Sequence, residues 1–170
     1  MNNKLTENNQ AIQLSQQACE QIDAHISKYP SDQKQSAVLP ALHIAQEENN
    51  GWLSRELLDA VAEYLDMPRV AVYEVATFYS MFELSPVGEH KISVCTNISC
   101  MLRGSEKIVQ HLENKLGIKL GETTEDGKFT LREVECLAAC VNAPVCQINK
   151  AYHENLTTEK IDQLLDQISK

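Results

Sequence analysis

Two short cysteine pairs constrain this chain more than any other feature. Cys95 and Cys100 form C-x4-C, Cys136 and Cys140 form C-x3-C, and both pairs stand where a predicted strand runs out into a loop. Four thiolates on two neighbouring loops can close around one metal centre.

Spacing removes several other readings. A thioredoxin-type dithiol needs C-x-x-C at a helix start, where the dipole lowers the pKa of the attacking thiol, and the chain contains no C-x-x-C. The plant-type ferredoxin run would need a further cysteine where Arg103 stands, and no histidine lies beside the pairs as a Rieske centre would require. A structural four-cysteine zinc site and a four-cysteine iron–sulfur cluster survive, because both metals accept four thiolates, and spacing leaves both open. The loops Thr96–Ser99 and Leu137–Ala139 carry no charged side chain, so backbone amides can be directed at sulfur. Zinc would tolerate the same loops. Cys146 falls in a predicted strand after Pro144 and Cys19 on the apolar face of a predicted helix, and both read as packing residues.

Charge and composition narrow the partners. At 170 residues and 43% hydrophobic the chain can make one ordinary domain or two small ones. A net charge of -9 gives no basic footprint for nucleic acid or an anionic membrane surface, which leaves proteins or small molecules. The opening MNNKLTENNQ has neither a secretory nor a transit-peptide layout, and no apolar run is long enough for direct membrane insertion. The expected location is therefore cytoplasmic, where structural disulfides are disfavoured and clustered cysteines point to metal or redox chemistry. Asn97-Ile98-Ser99 and Asn155-Leu156-Thr157 match the glycosylation pattern by chance in that setting.

The chain changes rhythm near its middle. Ile12, Ser15, Cys19, Ile22 and Ile26 line one face of a helix ending before Pro30. Ser36 to Glu48 predicts a second helix with Pro40 in its first turns or kinking it, ended by Asn50-Gly51. Ser54 caps a third, carrying Leu57, Leu58, Val61 and Leu65, and Pro68 opens a fourth, carrying Val72, Val75, Ala76, Tyr79 and Phe82. A helix-turn-helix reading fails because Leu53 to Glu74 has more acids than bases. After the turn-rich Ser85-Pro86-Val87-Gly88 come a strand at Lys91–Cys95, a helix with Ile108, Val109, Leu112 and Leu116 ended by Gly117, and strands at Phe129–Glu135 and Val145–Ile148. A helix capped by Thr157 closes the chain, with Ile161, Leu164, Leu165 and Ile168 on one face. The expected fold class is α+β: a helical bundle over residues 1–85, then a small sheet with helices packed on it over residues 89–170.

VCTNISCMLRGS (Val94 to Ser105) and ECLAACVNAP (Glu135 to Pro144) closely resemble the thioredoxin-like [2Fe-2S] ferredoxin family, and more narrowly its E-type branch in NADH-quinone oxidoreductases, the respiratory complex I enzymes. Ser36 to Ser54, Tyr73 to His90 and Leu156 to Leu165 resemble that family in the same order, so the likeness covers about Ser36 to Leu165. The resemblance implies a thioredoxin-like second domain carrying one [2Fe-2S] cluster, with Cys95, Cys100, Cys136 and Cys140 as its ligands and Cys19 and Cys146 outside the ligand motif. Ala138 stands where many relatives have glycine, which matters if the C-x3-C loop needs a positive φ.

The resemblance further implies an iron–sulfur subunit of an oxidoreductase, with no substrate site of its own. Its electron partner would be the NADH-binding flavoprotein subunit, which holds FMN and NADH, with other peripheral-arm subunits around it and attachment peripheral to the inner membrane through the parent complex. The chain has no G-x-G-x-x-G fingerprint for binding a dinucleotide itself. A soluble NAD-linked hydrogenase or formate dehydrogenase uses an equivalent module, and a zinc interaction module remains the reading from another class. Phe78-Tyr79-Ser80-Met81-Phe82 is either surface for docking on the flavoprotein or a helix face inside the bundle. Arg103 either offsets cluster charge or is a solvated residue at a helix start.

Overall fold

Side-chain caps decide where several helices begin. In the computed structural model, which describes residues 13–169, Ser15 Oγ accepts the Ala18 N–H at 3.1 Å and opens α1 (Gln16–Ile26). Ser54 Oγ does the same for Leu57 N–H at 3.2 Å ahead of α3 (Arg55–Tyr64), each cap being worth about 1 kcal/mol. Contacts divide the chain into two units, one ending at Pro86 and one starting at Val87.

The first unit is all helical. A 3-10 turn at Lys34–Ala37 leads into α2 (Val38–Glu48), so Pro40 sits in the first turn, where its missing N–H costs no helical bond. Asn50 and Gly51 end that helix with φ of 54° and 88°. Pro68 precedes α4 (Arg69–Phe78). Ala41, Leu42, Ala45, Leu57, Leu58, Val61, Val72 and Ala76 are buried together. Three expectations shift here. Ser15 is the cap of α1 rather than part of its apolar face, and Ile12 lies outside the described residues. Cys19 is only half-buried, because Ala18 and Ile22 take the inward positions. The fourth helix stops at Phe78, so Tyr79 and Phe82 are not carried on it. Phe82 instead reaches the core from the following turn.

Gln46 explains that turn. Its Nε2 donates to the Met81 carbonyl at 3.2 Å and its Oε1 accepts the Glu83 N–H at 2.8 Å, while the Glu83 carbonyl accepts Leu53 N–H at 2.7 Å. A buried side chain thus satisfies backbone groups of the turn that follows α4.

The second unit is built on a mixed four-stranded sheet. β1 (His90–Cys95) pairs in parallel with β2 (Phe129–Val134) and antiparallel with β3 (Cys146–Ile148), which turns into β4 (Ala151–His153). The parallel pair needs a crossover, supplied by α5 (Ile98–Leu102) and α6 (Ser105–Leu116), the latter ended by Gly117 at φ 69°. α7 (Thr158–Ile168) follows its Thr157 cap. Ile92, Val94, Ile108, Leu112, Leu131, Ile148, Ile161 and Leu165 form one core from sheet and helices. A Cβ on Gly88 would lie 2.9 Å from the Gly127 and Lys128 carbonyl oxygens, so the chain can enter β1 this closely only as glycine.

Candidate metal centre

The parallel pairing of β1 and β2 brings both cysteine segments to one end of the sheet. Cys95, the last residue of β1, lies opposite Val134, the last residue of β2, and Cys136 follows two residues later. Asn97 Oδ1 then accepts the Ile98 N–H at 2.7 Å and starts α5, which carries Cys100. The C-x4-C segment is therefore not the loop expected after the strand, but a cap and a short helix. On the other segment, Cys140 opens a 3-10 turn, Cys140–Asn142, followed by a cis Ala143–Pro144 peptide.

The four thiols sit in two environments. Cys95 and Cys100 are buried and pack with Ala143, Val134 and Leu137, whereas Cys136 and Cys140 are exposed. Burial and the neighbouring Cys95 thiol push the Cys100 thiol up to about 11, with Cys140 adding to the effect. Cys95 Sγ lies 3.7 Å from the Glu135 carbonyl, on the segment that leads to Cys136. All six cysteines are free. Among the described residues, no three or more His, Cys, Asp or Glu side chains are gathered as a site for a metal ion.

Ala138 has φ 58°, and its N–H donates to Cys136 Sγ at 3.2 Å. The C-x3-C loop does adopt at Ala138 the left-handed conformation that favours glycine, and it also aims a backbone amide at sulfur. The donor set fits a four-thiolate iron–sulfur group: soft ligands only, uncharged residues between them, two thiols shielded from water and an amide directed at a third. Arg103, at the end of α5, is exposed, and Cys146 is fully buried in the sheet core, where burial raises its thiol to about 12.

Apolar side chains on this face were not singled out in the sequence. Ile98, Met101, Leu102 (78% exposed) and Val141 (86% exposed) stand in solvent beside the cysteines. Their signal is apolar residues in segments too short to form a buried helix face. On the first unit, Phe78 (79% exposed), Tyr79 and Met81 are also exposed, while Phe82 is buried. Phe78 and Tyr79 meet edge to face with ring centroids 5.0 Å apart. This stretch is largely surface rather than bundle interior.

Fold and donor set together define a thioredoxin-like ferredoxin scaffold. The family model for thioredoxin-like [2Fe-2S] ferredoxins matches residues 22–169, and the chain belongs to that family. It is 57% identical to the E subunit of the NADH-quinone oxidoreductase of Rickettsia felis over 144 residues, covering 85% of this chain and 86% of that protein. It is 46% identical over 155 residues to the mitochondrial NADH dehydrogenase [ubiquinone] flavoprotein 2 of Dictyostelium discoideum, covering 91% of this chain and 63% of that protein. Among solved structures, the NAD+-reducing [NiFe]-hydrogenase in the air-oxidized state has a chain that superposes with TM-score 0.68 at 22% identity. It matches 83% of this chain, which spans only 24% of that chain's length, and the likeness is one of fold.

Proposed function

We propose that this chain is the electron-transfer subunit of an NADH-quinone oxidoreductase, holding one [2Fe-2S] cluster through Cys95, Cys100, Cys136 and Cys140. The observation that carries the reading is the convergence of both cysteine segments at one end of the parallel β1–β2 pair, in a chain 57% identical to the E subunit of such a complex. When bound, such a centre supplies a one-electron redox step between NADH-linked flavin and the rest of the complex. The chain's own residues do the rest. Cys95 and Cys100, both buried, keep water from one side of the site, and the Ala138 N–H offsets negative charge on Cys136 sulfur. Cys136 and Cys140 stand on the exposed side, among Ile98, Met101, Leu102 and Val141, where an electron partner can approach closely.

That partner is the FMN-bearing, NADH-binding flavoprotein subunit, with other peripheral-arm subunits alongside. Phe78, Tyr79 and Met81 offer further apolar surface for assembly. Among the described residues no helix is long and apolar enough to cross a membrane, which fits a cytoplasmic subunit held peripherally at the inner membrane by its complex. The two-domain division, residues 1–85 and 89–170, separates an assembly module from a redox module.

The test is reduction by NADH. The purified chain alone should be bleached by dithionite and not by NADH, and should become reducible by NADH once the flavoprotein subunit is added. Reduction by NADH without the flavoprotein would contradict the proposal, as would no reduction with it. Copurification with hydrogenase or formate dehydrogenase subunits instead of quinone-reducing ones would assign the module to that soluble class.

A further inference from the structure

The turn that carries Cys140 is packed at its far end, where Ala143 is buried with Cys95 and Cys100, and little at its start. Cys140 and Val141 are exposed, and segments with few buried contacts open locally at low cost. Three hydrogen bonds fasten it to the connection between β4 and α7. The Asn142 carbonyl accepts the Asn155 N–H at 2.7 Å and the Pro144 carbonyl accepts the Leu156 N–H at 3.0 Å. Asn142 Nδ2 donates to Glu154 Oε2 at 2.8 Å. The connection itself is anchored: Leu156 is buried in the sheet core, and Lys160 Nζ donates to the Glu154 carbonyl at 2.5 Å. Of the three bonds, Asn142 to Glu154 alone joins two side chains, and its acceptor is a carboxylate, which makes it the strongest in kind.

We propose that Asn142 and Glu154 are positioning residues for the second pair of cluster ligands. Their hydrogen bond holds the Cys140 turn in place and thereby sets how slowly iron leaves the site. The inference rests on the reading of Cys136 and Cys140 as ligands. The two side chains bond each other and act through the turn.

The test compares Asn142→Ala, Glu154→Ala and Glu154→Gln in the purified full chain, reading hydrogen exchange and the rate of iron loss to a chelator. Glu154→Gln keeps an acceptor oxygen and removes only the charge. Both alanine variants should speed exchange at residues 140–143 and at Asn155 by about fivefold or more, leave β1 and β2 amides unchanged, and speed iron loss similarly. Glu154→Gln should fall back to within about twofold of the parent chain, and the double alanine variant should be no faster than either single one. Unchanged exchange in the turn overturns the latch, and so does faster exchange throughout β1 and β2, which would mean general destabilisation. Faster exchange with unchanged iron loss overturns the positioning role. A parent chain that takes up no iron and sulfide overturns the ligand assignment itself, and is told apart because exchange is read with or without iron.

Discussion

The Ala138 N–H donates to Cys136 Sγ at 3.2 Å, and the chain leaves that residue in a left-handed conformation, φ 58°. An L-residue pays about 1–2 kcal/mol for that conformation, while glycine adopts it freely but loses about 0.5–1 kcal/mol of unfolded-state entropy. Ala138→Gly should therefore stabilise the second unit by about 0.5–1 kcal/mol, and Ala138→Val should destabilise it. Melting temperatures of the three chains check the order.

Gln46 serves two backbone groups of the turn after α4. Gln46→Ala leaves the Met81 carbonyl and the Glu83 N–H without these bonds, each costing about 1–3 kcal/mol if it stays buried. A loss of about 2–4 kcal/mol in urea unfolding is expected, and a loss below about 0.5 kcal/mol would mean that the turn rearranges.

Phe78 and Phe82 lie four residues apart and should behave oppositely. Phe82→Ala, in the core, should cost about 3–4 kcal/mol, whereas the exposed Phe78→Ala should stay within about 0.5 kcal/mol. Phe78→Ala and Tyr79→Ala should keep iron yet weaken binding to the flavoprotein, read by titration of one purified subunit with the other.

Between α6 and α7, Asp162 Oδ1 lies 3.0 Å from Lys115 Nζ and 2.9 Å from His111 Nε2. Lys115 first, then His111, holds its carboxyl below the ordinary value of 3.8. A depressed carboxyl contributes stability that is present above its unfolded pKa and lost as pH falls through the folded one. Acid melts of the parent chain should therefore show a loss of stability below about pH 4 that Asp162→Asn lacks.

Cys146 separates packing from ligation. Fully buried, with its thiol raised to about 12, it should resist alkylation at neutral pH while exposed Cys136 and Cys140 in the iron-free chain react. Cys146→Ala should lower stability by about 1 kcal/mol and leave iron content unchanged.

How much of this was legible beforehand depended on how far local pattern and packing agreed. The alternation of Lys91–Cys95 read directly as β1, although Ile92 to Cys95 are all buried, and the cap-plus-periodicity of Ser54 with Leu57, Leu58 and Val61 read directly as α3 because its buried face repeats at the helical period. β4 did not, since Ala151–His153 is too short to show a period and owes its place to pairing with β3. α5 was hidden for a related reason: it is five residues long and exposes its apolar side chains instead of burying them. The cysteine spacing pointed to a candidate metal centre, but Asn142 and Glu154, twelve residues apart, meet only through the fold of the β3–β4 hairpin.

Whether Cys95, Cys100, Cys136 and Cys140 hold a [2Fe-2S] centre is decided by metal and sulfide analysis of the anaerobically purified chain, alongside the visible spectrum before and after dithionite. About two iron and two sulfide per chain are expected, with a brown colour that bleaches on reduction, all lost when either Cys95 or Cys140 is changed to serine. A colourless chain that binds a single zinc, and takes up no iron and sulfide on reconstitution, would contradict that assignment.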